Sequence, residues 1–248
     1  MHPTLRHTTR ALLGGCTLLG LTTAALAQTC TVSSGARPPA VVELYTSEGC
    51  SSCPPADRWL STLRHQAGVL ALSFHVNYWN HLGWRDPFAT TETTARQYRL
   101  KEALGGKYVY TPQVVLNGRD YRDWHGQSPQ QLSPLPATAA PGLRLSRQGN
   151  VVTAQLEPSA AYPRLAGYWA VLQDGLVSRV TRGENAGENL RHDHVVSHYQ
   201  PVEAWPAHQP HATLLTLPGG ITTARVAFVV TNPDLTRPIQ ALVLQCPS

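Results

Sequence analysis

The chain has 248 residues, with 20 Lys and Arg against 15 Asp and Glu and a formal net charge of +5. Two of the basic residues, Arg6 and Arg10, lie ahead of any acidic residue in a segment expected to be removed, which brings the balance to +3 (5 − 2). So small a charge, with no Lys/Arg cluster interleaved with aromatics, excludes nucleic acid as a partner.

Arg6 and Arg10 open an apolar stretch from Ala11 to Leu26, and Ala25-Leu26-Ala27 has the small-x-small form of a leader cleavage site. Residues 1–27 are therefore expected to be a secretory signal peptide, with the mature chain starting near Gln28. The stretch is short and rich in Gly and Thr, which argues against a retained anchor. A lipoprotein-type site at Leu13-Gly14-Gly15-Cys16 is the weaker alternative, because little apolar sequence precedes Cys16. No later segment is apolar enough for a stable membrane span, and the expected location is periplasmic or secreted.

An oxidising compartment permits lasting disulfides. Loss of Cys16 with the leader leaves Cys30, Cys50, Cys53 and Cys246. Three pairings are open, and the two-residue spacing favours Cys50 with Cys53. Cys30 and Cys246, at the two ends of the mature chain, are then expected to form a structural bridge.

In chain order, Ala40 to Tyr45 reads as a buried strand, Ala56 to Gln66 as a helix ended by Gly68, and Val69 to Val76 as a second strand. That succession predicts a parallel βαβ unit with the cysteine pair at the hand-over from strand to helix. Asp86-Pro87 reads as the start of a second helix that runs to Gly105-Gly106. Gln113 to Leu116 is a strand entering an Asn117-Gly118 hairpin, with Tyr121 to Trp124 as the returning strand. Pro, Ala and Gly crowd positions 134–142, a linker or seam. Beyond it come short β runs: 143–145, 151–156, 168–172, 176–180, 190–196, 213–217, 224–230 and 239–244. The expected class is α/β, an N-terminal domain over residues 38–133 followed by a small antiparallel β-sandwich over residues 143–248.

Two cysteines separated by two residues close a small ring, and as thiols the first attacks a disulfide while the second resolves the mixed intermediate. The pair precedes the predicted helix, whose dipole favours a thiolate at Cys50. Pro54-Pro55 disfavours helical backbone just before it, which limits that help. Two other readings remain: an inert loop disulfide, and half of a copper or zinc site completed by His75 or His81. Tyr78, Trp79, Trp84 and Tyr110 flank these loops and suit an apolar platform for an extended peptide, although loop aromatics also serve as core plugs. His192 and His194 alternate on one predicted strand with His198 nearby, which suits chelation or simply a solvated face.

The run Val42-Glu43-Leu44-Tyr45-Thr46-Ser47-Glu48-Gly49-Cys50-Ser51-Ser52-Cys53-Pro54-Pro55-Ala56, then Asn77-Tyr78-Trp79, Leu82-Gly83-Trp84, Tyr110-Thr111-Pro112-Gln113 and Asn117-Gly118, resembles an exported bacterial family described as thioredoxin-like. Its members carry only the label of domain of unknown function 1223. The resemblance implies a thioredoxin-type sheet, Cys50 as attacking thiol, Cys53 as resolving thiol, and Thr111-Pro112 as a cis bond beside them. It supplies no substrate. The chain departs from thioredoxins proper at Leu44, where those have a buried acid; the neighbouring Glu43 is expected on the other face of the strand.

These residues together point to thiol–disulfide exchange with a cysteine-containing exported protein or a small thiol. No cofactor is expected. Metal handling and a non-catalytic binding module with a stapled loop are the alternatives, and exchange requires the Cys50 sulfur to be accessible.

Overall fold

The computed structural model describes residues 29–137, 140–219 and 225–246. The leader expected over residues 1–27 lies outside them. The strands are β1 (Thr29–Ser33), β2 (Ala40–Thr46), β3 (Val69–His75), β4 (Gln113–Leu116), β5 (Arg119–Asp120), β6 (Leu143–Gln148), β7 (Val151–Leu156), β8 (Arg164–Gln173), β9 (Leu176–Arg179), β10 (Asn189–His192), β11 (Val195–Pro206), β12 (His211–Thr216), β13 (Arg225–Thr231) and β14 (Pro238–Leu244). Two α-helices accompany them among the described residues, α1 (Pro54–Ser61) and α2 (Thr91–Ala103).

The expected α/β class, a thioredoxin-like layer followed by a separate sandwich, is not what the chain forms. It is mostly β. One eight-stranded sheet runs in the order β14-β13-β8-β11-β3-β2-β4-β5, drawing strands from both sides of the seam at 134–142. The join is the parallel bridge Val195↔Ser73 between β11 and β3, backed by the Ser73 amide donating to the His194 carbonyl at 2.8 Å. The physical reason is edge pairing. The βαβ unit of β2, α1 and β3 leaves a buried apolar strand edge that must find a partner. The segment after β5 forms only two three-residue 3-10 turns among the described residues, Arg122–Trp124 and Pro129–Gln131, with Pro134 and Pro136 close behind. The long strand β11 supplies the partner instead.

The sheet buries both faces. Val41, Tyr45, Leu72, Phe74, Tyr168, Ala170 and Tyr199 share one core on the face that α2 covers. On the opposite face α1 and the 3-10 turn Thr62–His65 that follows it pack Ala56, Leu60 and Leu63 against Val42, Leu44, Ala71 and Val114. Beside it, the four-stranded sheet β1-β6-β7-β12 sets Leu145, Val152 and Leu215 against Trp169, Val171 and Phe228. Cys30 and Cys246 are bridged across a sequence separation of 216, as expected.

Local chemistry explains where element ends depart from the sequence reading. Helix α2 begins four residues later than Pro87 because Thr90 and Thr93 form a reciprocal capping box, each side chain taking the other's amide at 3.1 Å. Asp86 is engaged elsewhere, as described below. Asn117 (φ 52°) and Gly118 (φ 78°) make the expected tight turn, and a Cβ on Gly118 would come within 2.7 Å of the Thr236 carbonyl. The returning strand is only Arg119–Asp120; residues Arg122–Trp124 form a 3-10 turn that buries Trp124 beside Trp59. The β run expected over 190–196 breaks at Asp193 and His194, whose φ is 60°.

His194 gives the fold a pH dependence. Burial first, then the Arg225 guanidinium at 3.1 Å, hold its imidazole down to about 4, while Asp174, Asp193 and Arg64 are the other charged neighbours. A folded value below the unfolded one means the unfolded chain takes up the proton first, so stability falls as pH drops from about 6.5 through about 4. His194→Asn, which tolerates positive φ, should remove on the order of 3 kcal/mol of that acid sensitivity, read as urea midpoints at pH 7 and pH 4.

Candidate functional site

Strand β2 ends at Thr46 and the chain turns through Ser47–Ser52 into α1. Cys50 and Cys53 are joined as a disulfide. Cys53 takes the N-cap position in helical conformation, and its carbonyl accepts the amides of Ala56 at 2.9 Å and Asp57 at 3.1 Å. Helical backbone therefore starts at Cys53 despite the two prolines. Both cysteines are 0% exposed, which corrects the expectation of an accessible Cys50 sulfur.

A strap between β9 and β10 is tied to the segment that carries the bridge. The Ser51 amide and hydroxyl donate to Glu184 Oε2 at 2.9 and 2.8 Å. Asn185 Nδ2 donates to the carbonyls of Glu48 at 2.8 Å and Cys50 at 3.0 Å. Of the strap residues Arg182–Gly187, only Asn185 is buried. The two bonds from Ser51 hold the Glu184 carboxyl below the ordinary glutamate range.

Behind the bridge lies a polar cluster with almost no exposure: Glu48, Asp57, His75, Asp86 and His192. His75 Nδ1 donates to Asp86 Oδ2 at 2.7 Å, and His192 Nε2 lies 3.1 Å from Glu48 Oε1. Asp86 is fixed in turn by the amides of Glu48 and Phe88, each at 2.9 Å, and Glu48 Oε2 accepts the Trp84 indole at 2.8 Å. Asp57 Oδ2 accepts the Thr46 hydroxyl at 3.1 Å, and its Oδ1 stands 3.9 Å from His192 Nδ1. The imidazoles cross edge to face, centroids 4.7 Å apart. Their remaining nitrogens, His75 Nε2 and His192 Nδ1, are buried without a hydrogen-bond partner among the described residues. Burial pushes the Asp57 carboxyl up, with the two histidines partly offsetting it. Burial works against charge on both His75 and Asp86 too, yet each other's charge prevails, raising the imidazole and lowering the carboxyl.

The predicted site residues are brought together unevenly. Trp79 packs against Gly49, where a Cβ would fall 2.9 Å from its own, and its indole donates to Thr111 Oγ1 at 2.7 Å. Thr111-Pro112 is cis. The expected aromatic platform is partly buried, with each polar tip held internally: Tyr78 on Gln97 at 3.1 Å, Trp84 on Glu48, and Tyr110 on Asp120 at 2.6 Å. Burial pushes the Tyr78 phenol up to about 12.

The expected histidines divide in the same way. His75 joins the cluster, whereas His81 is exposed with Nδ1 on the Tyr78 carbonyl. His192 joins it while His194 turns away to Arg225, so the two do not chelate as a pair, and His198 is half-buried on β11.

Glu48, Asp57, Asp86, Glu184 and Asn185 were not singled out by sequence reasoning as site residues. Asp57 in the first turn of α1 and His75 at the end of β3 carried the usable signal, since both stand where parallel strands finish. His192 carried none, coming from a strand 144 residues beyond Glu48. A cavity of about 600 Å3 lies by Leu116, Asn117 and Pro134, at the other end of β2 from the bridge.

Among the described residues no helix is long and apolar enough to cross a membrane. No curated protein matches the chain. The chain is similar to the crystal structure of protein AGR_C_4864 from Agrobacterium tumefaciens, with 30% identity and a TM-score of 0.65 over 83% of this chain and 93% of that one. HBP35 of Porphyromonas gingivalis shares the fold alone, at 15% identity and a TM-score of 0.55 over 84% of this chain and 75% of that one. The family model for proteins of unknown function DUF1223 matches residues 41–231, and the chain belongs to that family.

Proposed function

We propose that Cys50 and Cys53 carry out thiol–disulfide exchange with a cysteine-containing protein or small thiol in the periplasm or outside the cell, and that the strap at 182–187 gates the bridge. The observation that carries this is how the cysteine segment is tied down. Both cysteines are buried, and the backbone around them is bound to an exposed loop through Glu184 on Ser51 and Asn185 on the Cys50 carbonyl. Segments with so little buried apolar contact open at low cost.

The small size of the ring also favours chemistry over stapling. On the chain-entropy model a four-residue loop stabilises the fold by only about 2 kcal/mol, against about 5 kcal/mol for the Cys30–Cys246 loop. With the strap displaced, a partner thiolate attacks Cys50 Sγ. The Cys50–Cys53 bond breaks, and Cys53 leaves as a thiolate that takes up the proton given up by the partner. A second partner thiolate then displaces Cys50. Two electrons pass to the pair and the partner departs with a disulfide; the reverse steps reduce a partner.

In the paired variant Glu184→Ala/Asn185→Ala, the bridge should be reduced by dithiothreitol roughly tenfold faster than in the parent, followed by alkylation and mass spectrometry. In the parent the Cys50–Cys53 bridge should open before Cys30–Cys246. A short bridge that outlasts the long one, or a rate indifferent to the strap, would contradict the reading.

A further inference from the structure

We propose that Asp57, His75 and His192 form a binding site for a divalent transition-metal ion of borderline softness, such as zinc, immediately behind the Cys50–Cys53 bridge. The donor atoms of the three side chains all lie within 4.8 Å of one another. Ligands on one zinc ion at about 2.1 Å sit about 3.4 Å apart at tetrahedral angles, so modest side-chain rotation closes the set.

Three independent features point to a ligand. Two imidazole nitrogens of the group, His75 Nε2 and His192 Nδ1, lack a hydrogen-bond partner among the described residues, in side chains no more than 2% exposed. Buried imidazole nitrogens without partners cost stability unless something binds them. The opposite nitrogen of each ring is held by a carboxylate, Asp86 for His75 and Glu48 for His192. Metal-bound histidines are oriented in just this way, by an outer carboxylate that fixes the tautomer and strengthens the donor. Finally, Glu48, Asp57 and Asp86 are three buried carboxylates, and none of them forms an ion pair with Lys or Arg among the described residues. A divalent cation bound to neutral imidazoles would supply the balancing charge that protonated rings supply without it.

The sulfurs are not donors here, since both are committed to the disulfide. Two nitrogens and one oxygen suit zinc and its neighbours better than copper(I), which favours thiolate. Three protein ligands leave a coordination position open, the arrangement of reactive rather than purely structural zinc sites. A cleft of about 150 Å3 lined by Pro54, Asp57, Arg58 and Asn189–His192 borders two of the three ligands and gives an ion a way in.

This assignment does not rest on the exchange reading, and the experiment separates them. The oxidised full-length chain, stripped with chelator, is titrated with zinc against a chromophoric competitor. One ion per chain with a submicromolar Kd is expected, together with a rise in Tm that chelator reverses. His192→Gln and Asp57→Asn should each weaken binding at least 100-fold, and Asp86→Asn 10- to 100-fold.

Circular dichroism and Tm in chelator establish that each variant is folded. Where a variant does not fold, the zinc-dependent Tm of the parent decides. Cys50→Ser/Cys53→Ser should keep the parent's zinc affinity while losing exchange. Absence of stoichiometric binding, affinity unchanged in His192→Gln and Asp57→Asn, or affinity that falls with the cysteines would overturn the assignment.

Discussion

Arg96→Met is expected to destabilise the protein by about 3–5 kcal/mol, because it strips a buried carboxylate of its one cationic partner among the described residues. Arg96 on α2 reaches Glu43 on β2 through a buried ion pair, and its guanidinium lies 4.1 Å from the Tyr168 ring centre. The Glu43 carboxylate also accepts the hydroxyls of Tyr168 at 2.6 Å and Tyr45 at 3.1 Å. Burial first, and the Glu43 charge second, hold the Tyr45 phenol far above its ordinary range, so it remains a donor. One cluster therefore ties β2, α2 and β8 together across the seam.

The Tm should fall on the order of 10 °C for that loss in a chain of this size. Glu43→Gln should cost less, since the amide keeps the tyrosine bonds. The double variant Glu43→Leu/Arg96→Met should recover most of the stability, because a buried pair replaced whole leaves no orphaned charge. Urea unfolding followed by circular dichroism measures all three. A loss below about 1 kcal/mol in Arg96→Met would show that the pair contributes little.

The second large effect concerns the two disulfides. Cys30→Ala/Cys246→Ala is expected to lower stability by up to about 5 kcal/mol, whereas Cys50→Ala/Cys53→Ala should lower it by about 2 kcal/mol. The difference follows from loop length, since the long bridge spans a sequence separation of 216 and the short one a separation of 3. Urea midpoints of the two paired variants test the ranking. Equal losses would make the short bridge as much a staple as the long one and would weaken the case for a chemical role.

Features set by neighbouring residues were legible in the sequence. The Cys50–Cys53 pairing follows from spacing, the Asn117-Gly118 turn from the two positive φ values it needs, and the placing of Glu43 away from α1 from strand alternation. What was missed depends on residues far apart in the chain. The single bridge Val195↔Ser73 turns an expected pair of domains into one continuous sheet, and nothing local to either residue announces it. Asp86 read as a helix cap because Asp-Pro suits a first turn, yet its carboxylate is drawn to His75. His192 reaches that same cluster only because β9 and β10 fold back over the start of α1.

Thiol–disulfide exchange requires above all that Cys50 form a covalent bond with a partner once the strap lifts. Cys53→Ser removes the resolving thiol, so a mixed disulfide at Cys50 should persist. The chain is expressed with its leader, acid-quenched with alkylating agent and analysed by non-reducing electrophoresis and mass spectrometry. Defined adducts linked through Cys50 are expected, which dissolve on reduction and disappear in Cys50→Ser/Cys53→Ser. A folded Cys53→Ser protein that keeps Cys50 as an unmodified thiol, inert to partners and to glutathione disulfide, would contradict exchange at Cys50.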